Sequence, residues 1–121
     1  MWLPLNNPGL VATYVAEFPA GSGAPPALVR LLESLRDVEP DRQIYAVTSL
    51  RNLWFTTASD YGQADLHPSV AVLPRAGNFS VSYARAGERK SSSGAMVPES
   101  QLEGTVRAFL AHLARGDEGQ T

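Results

Sequence analysis

Four β-like runs follow one another between residues 43 and 85, and no helical period interrupts them. Amphipathic helical patterns flank the stretch on both sides. A chain patterned this way builds an antiparallel sheet and lays its helices against it, so the sequence predicts the α+β class. With 121 residues it has the size of one domain and can bury one core without disulfide or metal staples. The expectation is a single domain over residues 1–121, with an N-terminal arm at 1–9 and a frayed tail at 117–121. Its sheet has about four to five antiparallel strands, with two helices packed on it.

The turn signal Asn7-Pro8-Gly9 precedes an ambiguous run at residues 10–18. Its apolar residues fit either a strand or one face of a helix; β-branched and aromatic residues dominate, which favours a strand. After the flexible turn at 19–24, Pro25-Pro26 opens a helix where proline costs least. Leu28, Leu31, Leu32 and Leu35 form its apolar stripe, Arg30, Glu33 and Asp37 stay in water, and Pro40 helps to end it. Strands are predicted at 44–48, 53–58 and 70–73. Residues 74–78 form a hairpin connection to a last strand, in which Phe79, Val81 and Tyr83 alternate with Ser80, Ser82 and Ala84. Residues 86–94 read as a polar loop. A capping box of Ser100 and Glu103 starts the closing helix, whose core stripe is Leu102, Val106, Phe109, Leu110 and Leu113. Glu103 and Arg107 are spaced for an ion pair, and Gly116 suits the C-terminal cap.

Composition excludes several mechanisms. The chain has no cysteine, so thiolate nucleophiles, disulfides and cysteine-rich zinc sites are ruled out. A net charge of −2 and a pI near 5.6 lack the strongly basic face that general nucleic-acid binding needs. Lys90 is the only lysine among ten basic residues; heavy use of Arg, Ala and Gly reads as the coding bias of a GC-rich bacterial genome. The first eight residues lack the basic start and long apolar run of a signal peptide. No apolar stretch approaches the ~20 residues of a membrane span. The expected location is the cytoplasm.

The richest polar cluster is the loop 59–68. Asp60, Asp65 and His67 offer two carboxylates and an imidazole to a metal; the competing reading is a surface loop whose Asp residues make local turn bonds. The spacing matches no established ligand motif, so the expectation is no metal. His67 is also a residue type suited to general-base work, with Ser59 and Ser69 nearby in sequence, but a catalytic triad is defined by geometry rather than by order. His112 reads as solvated. Gly21-Ser22-Gly23 lies ahead of a helix, yet the dinucleotide fingerprint would want a glycine where Pro26 stands, and the Walker Lys-Ser/Thr pair is missing. No catalytic residue emerges.

A candidate partner surface does emerge. Ser80 and Ser82 point away from the core side of their strand, and Arg85, Arg89 and Lys90 extend beyond its end. Trp54 alternates with Phe55, so one of the two faces outward; Trp54 there is an interface anchor unless the N-terminal arm or a helix covers it. Trp2 is the other large aromatic residue of note.

Two resemblances accompany these residues. Leu53-Trp54-Phe55-Thr56-Thr57, followed by His67-Pro68-Ser69-Val70-Ala71-Val72, resembles part of the flavin-binding split barrels related to pyridoxamine phosphate oxidase. That resemblance implies a small oxidoreductase holding FMN, although the linking loop lacks the basic residue such proteins direct at the flavin phosphate. The whole layout is similar to small bacterial immunity proteins that neutralise polymorphic toxins: an early helix, a central antiparallel sheet, and a closing helix after Val97-Pro98 that includes Val106-Arg107-Ala108-Phe109-Leu110. It implies an inhibitor that covers a partner's surface without chemistry of its own. The sequence favours this second reading: a non-enzymatic protein-interaction module with no cofactor, meeting an acidic protein through Trp54, Ser80, Ser82, Arg85, Arg89 and Lys90. The flavin oxidoreductase is the alternative.

Overall fold

The computed structural model describes residues 1–19, 21, 23–38, 43–49, 52–87 and 93–115. They form an α+β domain with one antiparallel sheet. Its strands are β1 (Trp2–Pro4), β2 (Tyr45–Ser49), β3 (Asn52–Thr56), β4 (Ser69–Arg75), β5 (Asn78–Ala84) and β6 (Ser93–Val97). The spatial order is the chain order, β1 through β6. Three α-helices accompany them: α1 (Leu10–Ala16), α2 (Pro26–Ser34) and α3 (Glu99–Arg115).

The strand count exceeds the sequence expectation because both edges escape a pattern reading. The N-terminal arm supplies β1, which pairs Trp2 with Val47 and Pro4 with Tyr45. Residues Ser93 and Gly94, read as loop, open β6, which pairs along β5 from Phe79↔Val97 to Tyr83↔Ser93. Gly94 suits the close strand approach here: a Cβ on it would lie 3.3 Å from the Val81 carbonyl oxygen.

Residues 10–16 are helix α1, not strand. Alternation would have put Leu10, Ala12, Tyr14 and Ala16 on one side, but Ala12 and Ala16 are exposed while Leu10 and Tyr14 are fully buried. The pair four residues apart shares one helical face. Asn7 sets the entry by accepting the Gly9 N–H at 2.7 Å. Tyr14 then meets Phe18, a further four residues on, edge to face at 5.2 Å. The predicted stripe is buried throughout: Leu28, Leu31 and Leu32 on α2, and Leu35 at the start of the 3-10 turn that follows it. Pro40 and Gly116, predicted to end helices, lie outside the described residues, as does the 117–121 tail.

Helix α3 starts at Glu99, so Ser100 and Glu103 sit inside its first turns and the capping box does not form. Leu102, Val106, Leu110 and Leu113 are buried as predicted, and Ala114 joins them. Phe109 is only half-buried, at the margin of the core. Arg107 Nε donates to Glu103 at 2.9 Å, as the spacing predicts. Arg107 Nη2 reaches the α2 end of the molecule, donating to the Ser34 carbonyl at 2.6 Å and to Asp37 at 3.0 Å.

Strand register sorts the sheet residues onto two faces. The inner face carries Leu53, Phe55, Val70, Val72, Val81 and Tyr83, which form one cluster with the buried side chains of α1, α2 and α3. All three helices therefore lie on the same side of the sheet. Strands β4 and β5 turn through Ala76 and Gly77, whose φ values of 46° and 86° are both positive. A two-residue hairpin of the I′ kind requires this at both positions.

Candidate functional site

The outer face of the sheet is defined by what the inner face is not. Register aligns one row across all six strands: Trp2, Val47, Trp54, Ala71, Ser82 and Gly94. A second row runs through Leu73, Ser80 and Met96. None of these residues belongs to the helix-covered core. Trp54 and Trp2 are half-buried, and their rings meet edge to face with centroids 5.4 Å apart at 78°. The two rings stand on β1 and β3 and close over Val47 on the strand between them, which explains why Val47 is 2% exposed on a face without a helix. The Trp2 indole N–H is spent on the Ala58 carbonyl at 3.0 Å, which fixes the ring and pins the start of the 57–68 connection to β1.

The sequence placed Trp54, Ser80 and Ser82 in one candidate surface, and the structure brings all three to this face. Arg85 is exposed just past the end of β5; Arg89 and Lys90 lie outside the described residues. Among the described positions whose parity points outward, Arg75 at the hairpin end is the one charged side chain. The N-terminal arm does touch Trp54, through Trp2, but it shares the ring rather than hiding it. Register is what the sequence lacked here: nothing in Trp2-Leu3-Pro4 announces that Trp2 stands two strands from Trp54.

The loop cluster does not converge. Asp60 is a local cap, its carboxylate accepting the Gln63 N–H at 3.1 Å at the start of a 3-10 segment over Tyr61–Leu66. Asp65 is exposed. His67 Nδ1 sits 2.9 Å from Thr57 Oγ1, rather than bonding Ser59 or Ser69. Among the described residues no group of three His, Asp or Glu side chains is placed to hold a metal ion. His112 is not solvated as the sequence suggested: it is half-buried with its ring 4.5 Å from that of Tyr83.

Among the described residues, two clefts border the helices. One, of about 180 Å³, lies between α2 and α3 and is lined by Ala27, Arg30, Leu31, Glu99, Leu102 and Glu103. Arg30 and Glu99 pair across it. The other, of about 200 Å³, is a shallow apolar hollow at Ala108, Phe109 and His112. Neither gathers a nucleophile with a base. The Gly21–Gly23 turn leads into a helix whose N-cap and first residue are both proline, so the first amide donors an anion would use are missing. Leu53–Thr57 and His67–Val72, the segments similar to flavin-binding split barrels, lie along neighbouring strands β3 and β4. The sheet around them does not close, since β1 and β6 are its two edges. Among the described residues no helix is long and apolar enough to cross a membrane.

Comparison with protein-family models, with curated proteins and with solved structures returned no match.

Proposed function

We propose that this chain is a protein-interaction module of the cytoplasm that works by covering a partner's surface rather than by chemistry. One observation carries the reading. A six-stranded sheet keeps the three described α-helices on one side and presents a paired tryptophan surface on the other. A sheet face in water ordinarily alternates to polar residues. Aromatic anchors at the centre of an uncovered surface are the usual source of binding energy in protein complexes. We read this layout as that of an immunity-type inhibitor. Ser80 and Ser82 extend the contact, and Arg85 and Arg75 at opposite ends of β5 and β4 favour a partner with an acidic rim.

The test is capture from the native host, identification of the protein retained, and binding kinetics at two salt concentrations. Trp54→Glu is expected to speed dissociation at least about tenfold, as loss of a central anchor does. Arg85→Glu is expected to slow association at low salt only, because rim charges act through steering. Kinetics unchanged by both substitutions would place the contact elsewhere. Stoichiometric flavin absorbance in the freshly purified protein would replace this reading with the oxidoreductase one.

A further inference from the structure

The outer face has a left–right asymmetry that fits a second copy of itself. In the central row, the three residues on β1, β2 and β3 are bulky: Trp2, Val47 and Trp54. The three on β4, β5 and β6 are small: Ala71, Ser82 and Gly94. A two-fold axis parallel to the strands, between β3 and β4, lays β1 over the partner's β6, β2 over its β5 and β3 over its β4. The paired Trp54 and Trp2 rings, closed over Val47, then form one ridge that faces the small row Ala71, Ser82 and Gly94 of the other copy. Aligned sheets pack about 10 Å apart with a twist near 30°, so the match is tightest beside the axis, at Trp54 and Ala71, and loosens outward. Met96, 58% exposed, stands two residues from Gly94 on the same face and flanks the hollow that receives Trp2.

We propose that the outer face is a self-association surface and that its occupant is a second copy of this chain. The inference rests on the reading of that face as a protein contact and names its partner. The size agrees. Strands spaced about 4.8 Å apart and about five residues long give a face of roughly 25 by 20 Å. Two such faces remove on the order of 1,000 Å² from water, the lower end of a specific interface. The expected product is a weak, reversible dimer. Charge does not oppose it, since Arg75 is the one charged side chain among the described outward positions. No carboxylate there answers Arg75, so added salt is not expected to weaken the dimer. The acidic-partner contact proposed above has the opposite salt response.

The experiment is sedimentation equilibrium of the whole chain from low to several hundred micromolar, with Trp54→Ala, Ala71→Trp and the double substitution. Thermal unfolding of each variant confirms that it folds. Each single change is expected to weaken self-association at least about tenfold, one by removing the ring and the other by filling its seat. The double change exchanges knob and hollow across the two-fold and is expected to restore the dimer, which loss of fold or of general stickiness would not do. A wild-type chain monomeric across the range overturns the inference. So does a dimer indifferent to both single changes, or a folded double variant that fails to recover. In those outcomes the Trp54→Glu kinetics with a captured partner still decide, separately, whether the face is a contact at all.

Discussion

Tyr14 is the most informative place to perturb the core. Its side chain is fully buried, and its hydroxyl has no hydrogen-bond partner among the described residues. Leaving such a group unpaired in the interior costs about 1–3 kcal/mol. Tyr14→Phe removes it. The void left by one oxygen, at ~24 cal/mol per Å³ over some 10–15 Å³, returns ~0.3 kcal/mol of that gain. The variant is therefore expected to be more stable at neutral pH by about 1 kcal/mol, or about 4 °C for a chain of this size. Alkaline pH supplies an independent handle. Burial, aided by the charge of Glu17, pushes the Tyr14 hydroxyl up to about 12. Below pH 10 both folded and unfolded chains keep the proton, so the shift contributes nothing to pH dependence. Between about 10 and 12 the unfolded chain ionises while the folded one does not, and stability falls as pH rises. Midway, near pH 11, the loss from this one group is about 1.4 kcal/mol. Urea denaturation at pH 7 and pH 11 reads both effects. The gap between Tyr14→Phe and wild type should widen by that amount at the higher pH, the other tyrosines cancelling in the comparison. A variant less stable than wild type at pH 7, with a gap that does not grow, would show that the hydroxyl is well paired and the argument wrong.

Two further outcomes follow from α3 and the hairpin. Leu110→Ala should lower the unfolding free energy by about 2–5 kcal/mol, and Phe109→Ala by clearly less because Phe109 sits half-buried at the margin; chemical denaturation that ranks them the other way would reverse the assigned face of α3. Ala76→Asn should stabilise by about 0.5–1 kcal/mol, since Asn tolerates the positive φ that costs Ala energy in this turn, and a lower melting temperature would show that the turn differs from the one described.

Legibility followed periodicity. Helices α2 and α3 and strands β2 to β5 could be read because each repeats its apolar residues at its own period, and burial forces that repeat. The edges could not. Three residues, Trp2-Leu3-Pro4, are too few for any period, and Ser93-Gly94-Ala95-Met96 has no apolar alternation because its first four residues are exposed. Such strands exist through the neighbour they pair with, which a local pattern does not contain. Residues 10–18 failed for a related reason. Leu10, Tyr14 and Phe18 satisfied both periods, and the side chains that settle the matter, Leu10 and Tyr14, are chosen by docking into the core with α2 and the sheet. At the candidate surface, the outward parity of Ser80 and Ser82 was legible within one strand. Bringing Trp2, Trp54 and Ala71 into one row required register between strands, which depends on turns and edges together.

The meander order has a consequence for how the chain assembles. From β2 onward each strand pairs with the one before it in the chain, so pairing can advance strand by strand with little search, while β1 joins β2 across residues 5–44. The cover is not so prompt. Helices α1 and α2 precede β2 to β6, but α3, which contacts β4, β5 and β6, follows them all. Until residues 99–115 are made and docked, Val72, Val81 and Tyr83 face water on a sheet that is otherwise complete. During that interval the nascent sheet is wet on both sides, with tryptophans on one and valines on the other. That is the period of synthesis in which it is most exposed to capture by another chain.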